Sequence, residues 1–491
     1  MTTQDVAGFC TLCRSRCGTR NTVRDGQLVK VAAWPAHPTG HAICAKGRAA
    51  PEIVHSARRL TQPLRRTNPK GTADPGWVPI EWDDALDEIA ARLGDLKARF
   101  GAESVAFGVT SPSGTPLSDS IDWIERFIRL FGSPNTAYAT EICNWHKDHA
   151  HAFTFGCGMP NPDYAGSDCI VLWGHNPANV WLAQADAISQ ARKRGAKLVV
   201  MDPRRTAHAR DADHWLRVRP GTDGALALGL THLLLAEGGI DEDFVRSWTN
   251  APLLVRTDTG RLLRHRDLDP AAGGEAMVFD GVLRQALPYD PALQNGGHDA
   301  TRFVLRGSVQ VGPYQCRPVL GLLEQACASY TPATVAGITS VPEQQIRDLA
   351  KTLRTARRIG YHAWSGIGQH ANAVQTERAI AVLYALTGCF DAPGGNVVMN
   401  RQPVNQVAPM SLLPPDQRGK ALGIERRPLG PPSQGWVTAH DLYGAILEGK
   451  PYPVRALMTF GANLLISHAE TQRADQALRE VGFHEIGRAH V

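Results

Sequence analysis

The chain is short of several features, and each shortage excludes a class of function. Charge of one sign is scarce: 52 Lys and Arg against 47 Asp and Glu leave +5 at neutral pH, too little to make nucleic acid or a membrane surface the main partner. Long apolar runs are missing. The most apolar stretch, residues 225–236, is too short to span a bilayer and carries Thr231 and His232. The N-terminus has no basic segment leading into an apolar one, so no export signal is read. No G-x-G-x-x-G marks a strand-to-helix turn, so neither a nicotinamide nor a flavin site is signalled. Ten cysteines among 491 residues are too few for a disulfide-stapled scaffold. The expectation is a soluble, cytoplasmic protein without a membrane span, acting on a small molecule.

What is present is the composition of a loop-rich globular α/β protein, 43% hydrophobic with 47 Gly and 33 Pro. Its length corresponds to about three domains. The cysteines are unevenly placed. Cys10, Cys13 and Cys17 form C-x2-C-x3-C, and Cys44 follows in Cys44-Ala45-Lys46-Gly47. Four thiolates suit zinc or an iron–sulfur cluster. Structural zinc usually takes two close pairs, whereas a triplet with one distant partner fits a cube wrapped by a single loop and closed from afar.

In the middle of the chain, residues 168–174 form a short apolar run ending in Gly. A helical stretch and a second apolar run, residues 196–201, come next. This pattern is a β-α-β unit of a parallel sheet covered on both faces. Ligands of such sheets bind beyond the carboxyl ends of the strands. Gly174-His175-Asn176-Pro177 and Asp202-Pro203-Arg204-Arg205-Thr206 fall there. Gly174 lets a ligand approach the backbone, Asp202 can accept from a ribose or guanine, and Arg204 or Arg205 can meet phosphate. A second glycine-rich turn, Gly366-Ile367-Gly368-Gln369, ends another strand pattern, and Gly461-Ala462-Asn463 repeats the Gly-x-Asn turn after residues 454–460.

The chemically densest stretch is residues 140–151, with Cys143, His146, Lys147, His149 and His151. Three histidines raise zinc, but at about 100° per residue His149 and His151 lie roughly 160° apart on a helix and do not converge. Cys143, at the start of a helix, is the better metal ligand. His146 and Lys147 are expected on its face, with His146 a candidate proton acceptor or substrate ligand. The remaining cysteines, Cys157, Cys169, Cys316, Cys327 and Cys389, are read as structural.

Taken with residues 56–66 and Ile80-Glu81-Trp82-Asp83-Asp84-Ala85-Leu86, the cysteine segment resembles the N-terminal part of the molybdenum or tungsten bis-molybdopterin guanine dinucleotide oxidoreductases, the family of formate dehydrogenases and nitrate reductases. The resemblance implies a [4Fe-4S] cluster on Cys10, Cys13, Cys17 and Cys44, with Lys46 on the electron path to the pterin. It implies that Cys143 ligates the metal and that Gly174, His175, Asn176, Asp202, Pro203, Arg204 and Arg205 hold a guanine dinucleotide, together with Gly221, Thr222 and Asp223 of the Arg219-Pro220-Gly221-Thr222-Asp223 segment. A turn followed by a helix N-cap is the alternative for Gly221 and Asp223. Residues 366–369 with Gly461 and Asn463 would hold the second pterin dinucleotide. The implied partner is an electron-transfer protein or subunit.

The implied fold is multidomain α/β. Residues 1–60 would form a small iron–sulfur domain, residues 61–135 with 335–484 one doubly wound domain, and residues 136–334 another interleaved with it. The family's C-terminal β-barrel-like domain is expected to be missing. Residues 485–491, Glu-Ile-Gly-Arg-Ala-His-Val, look like a translated sequencing adapter and are expected to be non-native. Asn144 follows Cys143 where the formate enzymes carry His-Gly, and Arg401-Gln402 is the nearest counterpart of their Arg-Gly-Gln-Asn-Asn, which puts formate in doubt. Arg401 remains a candidate for binding an anionic substrate, in Pro-rich surroundings that read equally as a surface loop. The competing expectations are a hydratase resembling acetylene hydratase and a metal-free electron-transfer subunit. Cys143 argues against the second of these.

Overall fold

The computed structural model describes residues 2–13, 15–110, 120–138, 140–143, 145–400 and 403–486. It contains two compact units. Residues Met1–Trp145, Asn179–Asp186 and Arg401–Val491 make the first, His146–Ala178 and Ala187–Asn400 the second.

The first unit begins with an antiparallel sheet, β1 (Thr3–Phe9), β2 (Gly18–Arg24) and β3 (Gln27–Ala33), in that order. Asp25 and Gly26 join β2 to β3 with φ of 48° and 82°, the left-handed pair that a tight two-residue hairpin needs. Between β1 and β2 the ladder opens into residues 10–17, pinned at its neck by Cys10 N donating to Cys17 O at 2.8 Å. The short helix α1 (Ala45–Arg48) starts directly after Cys44.

Further along come α2 (Trp82–Phe100), β4 (Val105–Val109), α3 (Ile121–Phe131), β5 (Thr136–Tyr138) and the turn α4 (Thr140–Cys143). Next are α5 (Trp145–Phe155), β6 (Cys169–Trp173), α6 (Leu182–Lys193), β7 (Lys197–Met201), β8 (His214–Leu216) and α7 (Asp223–Ala236). They are followed by β9 (Ile359–Ala363), α8 (Ala373–Leu386), α9 (Ala439–Glu448), β10 (Ala456–Phe460) and β11 (Phe483–Ile486).

Each unit is built on a four-stranded, wholly parallel sheet. The order is β11-β10-β4-β5 in the first and β8-β7-β6-β9 in the second. Every residue of β6 and β9 is buried, which explains why both strands are almost continuously apolar. Helix α7 is apolar all round because it is buried all round. Leu230 and Leu234 of α7, Ile380 and Leu383 of α8 and Trp173 of β6 share one core with β7 and β9. Fully burying each such side chain is worth roughly 1.5–3 kcal/mol.

The expected domain limits need correction. Residues 335–400 do not join 61–135: β9 pairs with β6 along its whole length, from Ile359 opposite Cys169 to Ala363 opposite Trp173, so this stretch lies in the second unit. Residues 136–145 lie in the first unit, where β5 pairs with β4. Periodicity identifies a strand without naming its partner. Within the segment read as a non-native tail, Glu485 and Ile486 pair with Met458 and Thr459, and residues 487–491 fall outside the described residues. Among the described residues, no helix is long and apolar enough to cross a membrane.

Candidate functional site

Three places bring the expected residues together. The first is the 10–17 loop. Burial pushes the Cys10 and Cys17 thiols up, and the charges of Cys13 and Cys44 add to the effect on both; four thiols thus act on one another in one small volume. Lys46, exposed on α1, opposes the shift at Cys10. A Cβ on Gly47 would collide with the Ile43 side chain and reach within 3.6 Å of Cys10 Sγ, so glycine is what lets α1 come this close. No disulfide joins any of the ten cysteines. Among the described residues no three Cys, His, Asp or Glu side chains form a single-ion site.

The second place is the crevice of the second unit. Strand β6 is flanked by β7 on one side and by β9 on the other, so the loops leaving their carboxyl ends diverge there, the usual ligand position in such sheets. Gly174 leaves β6 with φ 58°. Its carbonyl accepts from Gly366 N at 3.0 Å, and a Cβ on it would meet the Gly366 backbone at 3.0 Å. The two glycine turns predicted separately therefore form one floor. Asn176 follows, its Oδ1 buried and reached by no hydrogen-bond donor among the described residues. The His175 ring packs against His362, tilted by 40° at 4.1 Å between centroids, and the Tyr164 hydroxyl lies 2.5 Å from His362 Nδ1.

The neighbouring turns are partly committed to the protein itself. Asp202, 8% exposed, accepts from Arg204 N at 2.8 Å; burial raises its carboxyl above the usual range, against that bond and the Arg204 charge. Pro203, Arg204 and Arg205 are exposed, and Thr206 caps the next helical turn by accepting from Ala209 N. Asp223 does not cap α7. It accepts from Trp173 Nε1 at 2.7 Å, and burial raises its carboxyl too. Gly221, at φ 84°, faces the His370 ring just beyond Gln369, and Thr222 Oγ1 donates to Arg219 O.

His146 also reaches this crevice. Its ring packs directly on Gly368, where a Cβ would overlap it, and burial together with the Lys147 charge holds it neutral, with a pKa of about 3. A hydrogen bond to the Trp364 backbone opposes that shift. Lys147 is fully buried, with Nζ 4.1 Å from the Trp364 ring centroid. Lys147, Trp364, His362 and Tyr164 carried no role in the sequence. The available signal was polar residues punctuating apolar patterns, His362 and Trp364 around Ala363 among them.

The third place is the switch point of the first unit's sheet, between β4 and β10. There Thr110 N donates to Phe460 O at 3.0 Å. Gly461 leaves β10 with φ 61°, and Asn463 caps the next helical turn through Oδ1 to Ile466 N. Cys143, half-buried, ends α4 in this unit, two residues ahead of the first residue of α5. The face-sharing expected of Cys143, His146 and Lys147 runs through Asn144, which lies outside the described residues, as does Arg401.

Over residues 59–483 the chain matches the family described as molybdopterin oxidoreductase, and over residues 3–56 the molybdopterin oxidoreductase Fe4S4 domain. It is 28% identical to a sulfite dehydrogenase chain of Allochromatium vinosum, over 93% of this chain and 52% of that protein. It is also 28% identical to acetylene hydratase of Syntrophotalea acetylenica, over 96% and 58%, and 26% identical to dopamine dehydroxylase of Eggerthella lenta, over 98% and 56%. The solved structure of acetylene hydratase from Pelobacter acetylenicus superposes with a TM-score of 0.75 at 24% identity, covering 98% of this chain and 60% of that one, a likeness of fold. The chain thus spans a little over half the length of these relatives.

Proposed function

Because the chain belongs to the molybdopterin oxidoreductase family and carries its Fe4S4 domain, we propose that it forms the cofactor-binding part of a molybdenum or tungsten enzyme. That enzyme carries out two-electron oxidation or reduction of a small substrate with a bis-molybdopterin guanine dinucleotide cofactor. The observation that carries the proposal is the repeat of one device: a Gly-x-Asn turn with positive φ, at the carboxyl end of a strand beside the switch point, in both parallel sheets. Two such turns fit two dinucleotide halves.

The residues present suit the group. The orphaned Asn176 Oδ1 offers an acceptor to a guanine or ribose, Asp202 offers another, and the exposed Arg204 and Arg205 can meet phosphate. The two turns can pack into one floor because neither Gly174 nor Gly366 carries a Cβ. The Gly461 backbone and the Asn463 amide Nδ2 serve the second half, the Asn463 oxygen being committed to Ile466 N, and the Cys143 thiol is the metal ligand. When bound, the group supplies a metal that exchanges oxygen or hydride with substrate. The chain orients it, excludes water with the buried aromatic and imidazole wall of the crevice, and keeps His146 neutral, its lowered basicity suiting a substrate ligand better than a proton acceptor. The four cysteines hold the cluster, and Lys46 eases its charge on the way to an electron-transfer partner. We place the enzyme in the cytoplasm, where thiols stay reduced.

Metal analysis of anaerobically purified protein tests this. Iron with molybdenum or tungsten is expected, and Cys143→Ala should keep the iron while turnover is lost; zinc in place of both metals ends the proposal. The 28% identity to an acetylene hydratase favours a second possibility, hydration without net redox. Turnover that needs no artificial electron acceptor or donor selects it. A panel of formate, nitrate, sulfur oxyanions and acetylene separates the substrates.

A further inference from the structure

Behind the crevice of the second unit, α5 and α8 enclose four polar side chains in an apolar core. Lys147 and His151 are 0% exposed, Glu377 1% and Tyr384 2%. His151 Nδ1 lies 2.8 Å from the Lys147 carbonyl and so must be the donor. The neutral ring then has only Nε2 as acceptor, and Tyr384 Oη fills it. Glu377 Oε1 stands 4.0 Å from the same Nε2, and Oε2 is buried with no hydrogen-bond partner among the described residues. A carboxylate in such a place is costly unless charge or a proton compensates it. The Lys147 ammonium is the nearby charge, and it faces two ways: it lies over Trp364 beside the Gly366 turn, acts on His146 and His362 in the crevice wall, and acts on Glu377 behind.

We infer that Glu377 and Lys147 form a proton-linked pair through which the crevice takes up a phosphate-bearing anion together with a proton. The inference rests on the crevice being a nucleotide site. An anion in the crevice draws on the field of Lys147 and leaves less of it to stabilise a Glu377 carboxylate, so the carboxyl binds a proton from solvent. One O–H bond forms on Glu377, no electron moves, and no bond to the ligand is made. Burial and Asp148 raise the Glu377 carboxyl to about 8, with Lys147 opposing. The other titratable groups on the packed elements are His146, His149 and His151 on α5, Arg378 and Tyr384 on α8, Asp223 and His232 on α7, Tyr361 and His362 on β9, and Glu242, Asp243 and Arg246 on the helix Glu242–Trp248. Well below pH 8 the proton is already in place and binding recruits none; above it, binding pulls one in. By linkage, the proton favours the anion to the same degree.

GDP serves as the probe, titrated by calorimetry into the full chain in buffer pairs of different ionisation enthalpy. Proton uptake near zero at pH 6, rising toward about one per GDP at pH 9, is expected. Glu377→Gln should bind GDP with no uptake at either pH, and Lys147→Met should weaken binding about tenfold or more. A protonated-carboxyl infrared band in the wild type at pH 6, missing from Glu377→Gln, reports the proton without any ligand, and near-ultraviolet circular dichroism verifies the fold of each variant. GDP bound with equal uptake in Glu377→Gln, or with none in the wild type at pH 9, overturns the pair alone. Absence of GDP binding by the wild type overturns the nucleotide reading and the coupling together, while the infrared band still shows whether Glu377 holds a proton.

Discussion

Asn176 and Asn463 occupy the same place in two similar sheets and are used differently. Each stands two residues beyond a glycine of positive φ, at the carboxyl end of a strand beside a switch point. Asn463 Oδ1 is occupied, accepting from Ile466 N at the start of its own helical turn. Asn176 Oδ1 is buried and accepts from no donor among the described residues. The surroundings differ as well: Gly174 rests on a second glycine turn, with His175, His362, His146 and Trp364 close by. One turn closes its hydrogen bonds within the chain and the other leaves an acceptor for a ligand. A motif therefore marks a location, and the neighbours decide whether the asparagine oxygen there is spent on the chain or left for a ligand.

Acid should separate the two units most strongly. Burial lowers His146 to about 3 and His149 and His151 to about 4, and holds His362 well below its usual value. All four belong to the second unit. In the first unit His484 falls as far, to about 4, with a smaller shift at His468. A buried neutral imidazole binds no proton where the unfolded chain does. Stability is therefore present above about pH 6.5 and lost as pH falls toward 3–4. Glu377 works in the opposite sense, its contribution being full below about 4.5 and lost as pH rises through about 8. Peptide-resolved hydrogen exchange between pH 7 and 4.5 should show the second unit losing protection first, by several kcal/mol. Simultaneous loss in both units would break the comparison. Next in size is Gly174→Ala, which adds left-handed strain to a collision with the Gly366 backbone at 3.0 Å. Urea unfolding should register about 2–4 kcal/mol; a loss under 1 kcal/mol would mean that the floor yields.

How far the sequence foretold this depends on the range of the interaction. The β-α-β unit and both Gly-x-Asn turns are local patterns, and the structure has the unit's parallel strands and a positive-φ turn at each strand end. The pairing of β9 with β6 was not legible, because apolar periodicity names no partner strand; that is why residues 335–400 were expected in the wrong unit. Asp223 was read as a cap or a cofactor contact, and its bond to Trp173, fifty positions earlier, has no local signal. Lys147 looked like any lysine on a helix face. Only the packing of α5 and α8 makes it a buried cation facing Glu377.

The smallest effect is the sharpest test of the comparison, because the two substitutions should differ in kind. Asn463→Ala removes a cap that the helix uses, so the first unit should lose about 1 kcal/mol, seen as a lower urea midpoint at unchanged slope. Asn176→Ala removes an acceptor that no donor among the described residues reaches, so stability should stay within about 0.5 kcal/mol. Its cost should appear only with ligand, as roughly tenfold weaker GDP binding, about 1.4 kcal/mol. Equal destabilisation by both substitutions, with GDP affinity intact in Asn176→Ala, would mean that Asn176 serves the fold as Asn463 does, and the second unit's turn would lose its claim to the nucleotide.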